Sequence, residues 1–412
     1  MAGSCSLLVI ALTAASAACS SDNPLTADPY DASRQISLHG LQDGGTADPD
    51  KPLDVTSRGD GGRITDVTAH DDSGRYLSGR LTADGRHWRS TGPLAAGAHY
   101  TVRVSTENDD GAPGRKVLTF DTGRPQQKKT LTVAFGPKAG TYGVGQPITA
   151  KLSTPVRDRA ARAVVERALG VQSEPAVEGS WYWVDATTLH YRPREYWPAG
   201  ATVRVRSGLR GIRIGEDLWG GDSKPLKLTI GDRIEAVTNA STHTLSVYRN
   251  GTQIKEIPVT TGKPGFETRN GVKVILEKEP FVRMRSSTVG IAAGSGDSYD
   301  LPVHWAIRVT WSGEYVHAAP WSAGSHGFAN TSHGCTGMST ENAEWFFDTV
   351  HKGDVVRVVG SDGEAMTPFD NGFGDWNLDW AQWREGSALL GGGSADPGGQ
   401  QAVAAARLRP QV

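Results

Sequence analysis

Cysteine and long apolar runs are scarce in this chain of 412 residues. Its 3 cysteines, Cys5, Cys19 and Cys335, are too few and too widely spaced for a disulfide framework or a CxxC metal site. No run of about 18 apolar residues follows the N-terminal segment, which excludes a membrane-spanning helix from the body of the protein. Acidic and basic residues are interspersed, so the broad cationic surface of a nucleic-acid-binding protein is missing.

The signatures of common metal and cofactor enzymes are also missing. The sequence has no HExxH motif, no phosphate-binding glycine loop and no convincing cluster of histidine and carboxylate residues. It therefore predicts an activity that needs neither a metal nor a cofactor.

The N-terminal segment indicates export. Residues 7–18 form a short apolar run that ends in small residues, which is typical of a secretory signal. The sequence Ser16-Ala17-Ala18-Cys19 resembles a bacterial lipobox, whose cysteine is acylated and becomes the mature N-terminus. An ordinary signal peptide cut nearby is the alternative, because leucine is commoner at the position of Ser16 and no Lys or Arg precedes the apolar run.

The predicted fold is mainly β. Short alternating runs between Gly/Asp turns fill residues 35–127 and again residues 128–232, which predicts two immunoglobulin-like β-sandwich domains. A helix from Asp158 to Leu169 interrupts the second. Further strands over residues 233–360 predict a third, β-rich domain, and the family resemblance described below implies that it is a catalytic domain with short helices.

Other segments are assigned from composition and spacing. Trp376, Trp380 and Trp383 share one face of a predicted helix, so a C-terminal extension should pack on the catalytic domain. We predict a signal peptide over residues 1–18 and a disordered tether over residues 19–34. The C-terminal extension is predicted over residues 361–390 and a disordered tail over residues 391–412.

One histidine precedes a cysteine in a polar turn near the C-terminal end. His317 ends the run Gly313-Glu314-Tyr315-Val316-His317, which alternates like a strand that reaches a sheet edge, and Ser332-His333-Gly334-Cys335 follows. A free thiol, with a pKa of about 8.5, is mostly protonated at neutral pH and needs a base. A lone cysteine is more often inert packing, but this turn suits a core poorly. Cys335 is therefore the predicted nucleophile and His317 its base.

The segment that follows Cys335 is relevant to the oxyanion. Residues 340–347 have helical spacing, so the nucleophile is expected in the loop just ahead of a helix. Backbone N–H groups there can point at a developing oxyanion.

The segment from Gly313 to Cys335 resembles the active-site signature of the L,D-transpeptidases of the YkuD type. The resemblance to actinobacterial members extends to Thr261-Gly262-Lys263-Pro264, Ala319-Pro320-Trp321-Ser322 and Gly374-Asp375-Trp376-Asn377. It implies that Cys335 attacks the L,D amide of a tetrapeptide stem and releases the terminal D-Ala. A side-chain amine of a neighbouring stem's diamino acid then attacks the thioester, while His317 moves the protons.

The resemblance also implies roles for the surrounding residues. N–H groups near Gly334 would hold the oxyanion, Ser332 and His333 would shape the loop, and the carbonyl of Ala318 would orient the imidazole. The implied substrate-binding residues are Met284 of a lid, Tyr299 of the pocket, Ser312 and Gly313 at the strand edge beside the base, Thr336 and Gly337. The chain departs from the family at Gly337, where Asn is usual, and at Ala318, where Ser is frequent.

The expected partners follow from the same resemblance. They are peptidoglycan stem peptides as donor and acceptor, the membrane through an N-terminal lipid, and carbapenem-type β-lactams as covalent inhibitors. The expected location is the outer face of the cytoplasmic membrane and the cell wall. One alternative is a wall-binding scaffold whose transferase site has decayed, which Gly337 and Ala318 favour. Another alternative is an enzyme of the same fold that hydrolyses stem peptides or anchors wall proteins. If His317 activates Cys335 as a thiolate, an iodoacetamide-type reagent is expected to label Cys335 faster than a free thiol at slightly acidic pH.

Overall fold

The computed structural model describes residues 28–58, 62–124, 129–292 and 294–390. The predicted signal peptide, Cys19, the first part of the tether and the tail over residues 391–412 lie outside the described residues. The chain divides into two compact units, Met1–Gln126 and Gln127–Val412. Strands predominate in both, which confirms the predicted fold class. Within the described part of the chain, no helix is long and apolar enough to cross a membrane.

The N-terminal unit consists of two sheets. One has the strand order β1-β10-β9-β5-β6 with β3 also paired to β10, and the other has the order β2-β4-β8-β7. Burial alternates along β9, and Tyr100 stacks on Phe120 with ring centroids 5.1 Å apart. The strands are β1 (Tyr30–Asp31), β2 (Ile36–Leu38), β3 (Gly45–Ala47), β4 (Asp54–Ser57), β5 (Arg63–Asp71), β6 (Tyr76–Leu77), β7 (Gly79–Leu81), β8 (His87–Ser90), β9 (His99–Glu107) and β10 (Pro113–Thr122).

The end of the predicted tether belongs to this unit. The prediction of disorder up to residue 34 is wrong for the described residues, because β1 pairs in parallel with β10 and Ala32 is fully buried. The Tyr30 hydroxyl donates to Gln35 Oε1 over 2.9 Å. These contacts fix the chain a few residues earlier than its polar composition indicates.

The second unit begins with two four-stranded sheets. Their orders are β12-β14-β17-β16 and β13-β20-β18-β15, and β11 pairs with β19. The helix α1 (Arg159–Ala168) is capped by Asp158 as predicted, but it ends one residue early because Leu169 starts β15. The strands are β11 (Lys129–Leu131), β12 (Val133–Gly136), β13 (Gly140–Tyr142), β14 (Ile148–Leu152), β15 (Leu169–Glu174), β16 (Gly179–Trp183), β17 (Thr188–Pro193), β18 (Thr202–Ser207), β19 (Leu218–Gly220) and β20 (Leu226–Ile230).

The rest of the second unit packs two further sheets around one helix. The sheets have the orders β23-β22-β21-β29-β24 and β25-β26-β27-β28, and Phe346 of the helix α2 (Thr340–Thr349) is fully buried in their shared core. Short 3₁₀ turns cover Ser286–Val289 and Pro320–Ser325. The strands are β21 (Ile234–Asn239), β22 (Thr244–Arg249), β23 (Thr252–Pro258), β24 (Gly271–Val274), β25 (Glu277–Arg285), β26 (Asp300–Arg308), β27 (Tyr315–Ala318), β28 (Thr336–Met338) and β29 (Val355–Val359).

The C-terminal extension differs from its prediction in two ways. It is a 3₁₀ turn, Asp375–Asn377, followed by the short helix α3 (Trp380–Glu385), because Asp379 caps α3 and interrupts a continuous helix. The turn is tied to β24 by Asn377, but α3 itself packs on β16 of the preceding sheets. The extension therefore bridges the two halves of the second unit instead of packing on the catalytic domain alone.

A buried arginine explains where the indole rings go. The Arg192 guanidinium lies 4.7 Å from the ring centroid of Trp376, 5.6 Å from that of Trp380 and 4.6 Å from that of Trp383. Its Nη2 donates to the Leu378 carbonyl over 2.8 Å. Its Nη1 donates to the carbonyls of Pro193 and Arg194, so cation–π contacts and three hydrogen bonds replace the hydration that the buried cation loses.

We expect Trp383→Ala to destabilise the second unit by about 3–5 kcal/mol, because it empties a fully buried indole site and removes the hydrogen bond to the Ser180 carbonyl. Arg384→Ala, on the exposed side of the same helix, is the control and should change stability little. Urea unfolding of the two variants measures the difference. Equal unfolding midpoints would show that the extension does not stabilise this unit.

Candidate active site

A cavity of about 240 Å³ opens beside the sheet that contains β27 and β28. It brings together seven residues that the sequence analysis selected, which are Met284, Tyr299, His317, Ser332, His333, Cys335 and Gly337. Apart from these, the lining consists of Thr260, Leu301, Val303, Ala319, Trp321, Ser322 and Thr331. The proposed nucleophile and base therefore line the same cavity.

The strand that carries His317 is interior to its sheet. β27 lies between β26 and β28, and all four of its residues are buried, so His317 does not lie at a sheet edge as the alternating pattern predicts. Val316 and Ala318 contribute to the core between the two sheets, while His317 faces the cavity. Both faces of an interior strand can be covered, so exposure does not alternate even though side-chain direction does.

The nucleophile precedes a strand, not a helix. Cys335 is followed directly by β28, which pairs in parallel with β27 and places Gly337 opposite His317. The helix α2 begins only at Thr340, where the Ser339 side chain accepts a hydrogen bond from Asn342 N. The expectation that the helix N-terminus lies next to Cys335 is therefore wrong.

Hydrogen bonds within the loop fix the turn before Cys335. Ser332 Oγ donates to the Cys335 carbonyl over 2.6 Å and accepts from Gly334 N over 3.1 Å. Thr268 Oγ1 donates to the Gly334 carbonyl over 2.8 Å. Gly334 has φ +114°, a conformation that a residue with a Cβ rarely adopts. The Gly334 N–H, expected to hold the oxyanion, is thus engaged by Ser332 in the resting loop.

The imidazole of His317 is set up to accept a proton. Its Nδ1 lies 2.8 Å from the Ala318 carbonyl, so Nδ1 carries the hydrogen and Nε2 keeps its lone pair. Burial lowers the pKa of His317 to about 4, so the ring is neutral at pH 7. The Ala318 backbone makes the orienting contact that the family resemblance implies, and this contact needs no serine side chain.

The thiol is protonated at rest. Burial raises the pKa of Cys335 to about 12, and the Sγ–H donates to the Gly313 carbonyl over 3.6 Å. A neutral thiol beside a neutral imidazole is therefore the resting state, rather than a thiolate–imidazolium pair. The raised thiol pKa predicts slow alkylation at slightly acidic pH, in contrast to the expectation from the sequence.

The segment that contains Asp297 and Tyr299 contacts the cysteine loop. The ring centroid of Tyr299 lies 5.1 Å from that of His333, and His333 Nε2 lies 3.5 Å from Asp297 Oδ1. Asp297 Oδ1 also forms an ion pair with Lys263 Nζ, at a distance of 2.6 Å. Met284 lies on β25 and lines the cavity. His333 thus contacts Tyr299 and lies near Asp297, and its role in shaping the loop stays a prediction.

Three of the implied substrate residues do not line the cavity. Ser312 lies in the turn between β26 and β27, at the opposite end of β27 from His317, and its Oγ accepts from Asn371 Nδ2 over 2.9 Å. The expectation that Ser312 lies beside His317 is therefore wrong. Gly313, in the same turn, contributes its carbonyl to the thiol, and Thr336 is buried in β28.

Gly337 allows a close approach of backbones. It exchanges two hydrogen bonds with Thr260, one of 2.8 Å from its own N–H and one of 2.9 Å to its carbonyl. A Cβ at this position would lie 2.8 Å from Ala319 Cβ and 3.1 Å from Thr260 Cγ2. The asparagine usual in the family would therefore require both neighbours to move.

Sequence reasoning missed a buried ion pair beside the nucleophile. Lys273 on β24 is fully buried, and its Nζ donates to Glu314 Oε2 over 2.7 Å. The available signal was a charged residue in each of two otherwise apolar strand sequences, Gly271-Val272-Lys273-Val274 and Glu314-Tyr315-Val316. In the described part of the chain, no group of three or more His, Cys, Asp or Glu residues could hold a metal ion.

Comparison with known proteins agrees with this geometry. The model of the YkuD L,D-transpeptidase catalytic domain matches residues 233–358, and that of a bacterial Ig domain matches residues 45–213. The Ig match spans both pairs of sheets as one region, so the number of Ig-like domains stays a prediction.

Curated relatives carry the same family name. L,D-transpeptidase 2 of Mycobacterium tuberculosis (strain CDC 1551 / Oshkosh) is 36% identical over 312 residues, which is 76% of this chain and 75% of the relative. L,D-transpeptidase 5 of Mycobacterium tuberculosis (strain ATCC 25618 / H37Rv) is 33% identical over 321 residues, 76% of this chain and 68% of the relative. A solved L,D-transpeptidase in complex with imipenem is 37% identical, with a TM-score of 0.49, over 55% of this chain and 99% of its own.

These similarities define an acyltransferase with a YkuD catalytic domain. The chain belongs to the L,D-transpeptidase family.

We expect alkylation of Cys335 by iodoacetamide to be slower than that of N-acetylcysteine between pH 6 and pH 8, and to rise about tenfold per pH unit, because only the thiolate reacts and the pKa of Cys335 is raised to about 12. Peptide mass spectrometry of Cys335 against time measures the rate. A plateau below pH 7 would instead reveal a thiolate–imidazolium pair at rest.

Proposed function

We propose that this chain is a peptidoglycan L,D-transpeptidase that cross-links stem peptides through a thioester on Cys335. The observation that carries the proposal is the shared cavity of the Cys335 thiol and the His317 imidazole, whose Nδ1 is fixed by the Ala318 carbonyl. Names of relatives that share three quarters of their length with this chain support the reaction class. No cofactor enters the reaction.

The first half-reaction forms the acyl-enzyme. His317 Nε2 takes the proton from Cys335 Sγ as the thiolate attacks the carbonyl carbon of the L,D amide. The tetrahedral intermediate collapses when the C–N bond breaks, and the imidazolium returns the proton to the leaving amine of the terminal D-Ala. A thioester remains on Cys335 and His317 is neutral again.

The second half-reaction transfers the acyl group. The side-chain amine of an acceptor stem attacks the thioester carbonyl and loses a proton to His317. The C–S bond then breaks and the imidazolium reprotonates the Cys335 sulfur. The new amide is the cross-link, and the enzyme is restored.

The raised pKa of the thiol fits this order of events. Because Cys335 and His317 are both neutral at rest, the charged pair forms only when a substrate is present to accept the thiolate. The developing oxyanion needs donors in the loop around Gly334 and Cys335. We propose that the Gly334 N–H exchanges Ser332 Oγ for the oxyanion at this step.

We expect one carbapenem to add to Cys335, because its strained amide resembles an activated substrate. Cys335→Ala should carry no adduct, and His317→Ala should slow acylation by about 10² to 10⁴ through loss of the base. Ala318→Ser is the matched control, since the orienting group is the backbone carbonyl. Intact-protein mass spectrometry follows the reaction. A missing adduct in the folded wild type would favour a decayed, wall-binding scaffold instead.

The acceptor separates cross-linking from hydrolysis and from anchoring of wall proteins. Mass spectrometry of wall fragments from cells with and without the protein identifies the bond formed. Loss of dimeric stem peptides on deletion supports the transpeptidase, whereas a change confined to monomeric stems supports a hydrolase.

We further propose that the protein is exported and anchored by a lipid on Cys19, with its active site at the outer face of the cytoplasmic membrane. The motif Ser16-Ala17-Ala18-Cys19 after an apolar run supports this. The predicted immunoglobulin-like domains over residues 35–127 and 128–232 would serve as spacers between the anchor and the catalytic domain.

We expect Cys19→Ala to prevent lipidation, so that the protein is released to the medium or remains unprocessed. Cys5→Ala, within the predicted signal, is the control and should leave anchoring unchanged. Fractionation followed by immunoblotting measures both. A Cys19→Ala protein of mature size in the membrane fraction would contradict the lipid anchor.

A further inference from the structure

A complete ion pair is buried next to the nucleophile, where packing alone does not require one. Lys273 is fully buried and Glu314 nearly so, and the two side chains are joined by a 2.7 Å contact. Replacing such a pair by apolar residues of similar volume is often neutral or stabilising in other proteins. Its retention beneath a reactive cysteine therefore calls for an explanation from the chemistry of the site.

Glu314 connects the pair to the segment that contacts the thiol. Glu314 directly follows Gly313, whose carbonyl accepts the Cys335 Sγ–H. The other carboxylate oxygen of Glu314 accepts from Arg269 N over 3.0 Å and from Arg269 Nη1 over 3.3 Å. Glu314 Cγ also lies 3.9 Å from the position that a Cβ on Gly334 would occupy. The carboxylate thus anchors the Gly313 turn directly under the cysteine loop.

The two charges act on the thiol with opposite signs. The Glu314 carboxylate raises the pKa of Cys335 and the Lys273 ammonium lowers it, both in addition to the larger effect of burial. Burial lowers the pKa of Lys273 itself, and Glu314 counteracts this change. The other titratable or charged groups near the thiol and the cavity are Lys263, Arg269, Asp297, Tyr299, Tyr315, His317, His326 and His333.

We propose that the Lys273–Glu314 pair is a positioning element of the nucleophile, which holds the Gly313 carbonyl against the Cys335 thiol and sets the charge that the thiolate meets. Without Lys273, the carboxylate would oppose thiolate formation uncompensated. Without Glu314, the turn would lose its anchor and Lys273 would attract the thiolate. The pair therefore allows a buried carboxylate to serve as an anchor beside a sulfur that must become negative.

Single charge removals test this proposal in the full chain. We expect Glu314→Gln to speed alkylation of Cys335 by iodoacetamide at pH 9 and Lys273→Met to slow it. Each unit of thiol pKa should change the rate about threefold, because the tenfold change in thiolate fraction is partly offset by nucleophilicity. Iodoacetamide is uncharged, so the reagent itself does not respond to the substitutions. Circular dichroism checks the fold of each variant.

A merely structural role gives a different result. If the pair only maintains packing, both single variants loosen the loop, expose the thiol and speed alkylation together. Equal acceleration, or no change in either folded variant, would overturn the proposal. Faster alkylation of Glu314→Gln together with slower alkylation of Lys273→Met would support the proposal, and the reverse combination would overturn it.

Two further variants keep the test decisive if the single variants do not fold. Lys273→Met with Glu314→Leu removes both charges of the pair, and Lys273→Glu with Glu314→Lys reverses it, so that neither position 273 nor position 314 keeps a charge without its partner; the half-exposed Arg269 loses its ion pair in both variants. We expect the alkylation rate to increase from the wild type to the neutral pair and again to the reversed pair. Any other order would overturn the proposal.

This inference rests on Cys335 being the nucleophile of the proposed function, but its readout needs no wall substrate. A missing carbapenem adduct with the expected alkylation order would refute the function and leave the charge effect standing. A carbapenem adduct with the wrong alkylation order would do the reverse.

Discussion

The parallel pairing of β27 with β28 is the contact on which the active site depends. It sets His317 opposite Gly337, and it places Cys335 at the start of the neighbouring strand. Parallel neighbours keep a fixed register over every residue, so the sulfur and the imidazole come from separate segments and still face one cavity. Gly337 makes this register possible, because its lack of a Cβ lets Thr260 and Ala319 approach from the other side.

Burial decides the electrostatic state of this site. Burial raises the pKa of Cys335 to about 12 and lowers the pKa of His317 to about 4. Both side chains are therefore neutral at pH 7 before a substrate binds. The nearby Glu314 and Lys273 form a 2.7 Å ion pair in the same environment.

The catalytic sheets are not isolated from the sheets that precede them. Val355 of β29 belongs to the hydrophobic core of the preceding pair of sheets, and the Trp376 indole donates to the Gly145 carbonyl over 2.8 Å. Arg192 of the preceding sheets packs against the indole rings of Trp376 and Trp383 in the C-terminal extension. Residues 129–390, with the exception of the undescribed residue 293, thus share one folded unit, in which the extension contributes to stability by bridging two sets of sheets.

The sequence alone determined the mainly β fold class and selected Cys335 and His317 as candidate nucleophile and base, because periodicity, turn residues and a short motif are local properties of the chain, and the family resemblance implied the contact of Ala318 with the imidazole. Only the tertiary structure decided that β27 is interior, that β28 separates Cys335 from α2, that Ser312 lies away from the base, and that Arg192 organises the tryptophans. The Lys273–Glu314 pair also could not be predicted from the sequence. Its members are 41 residues apart, and the meaning of a buried charge depends on the partner that only folding supplies.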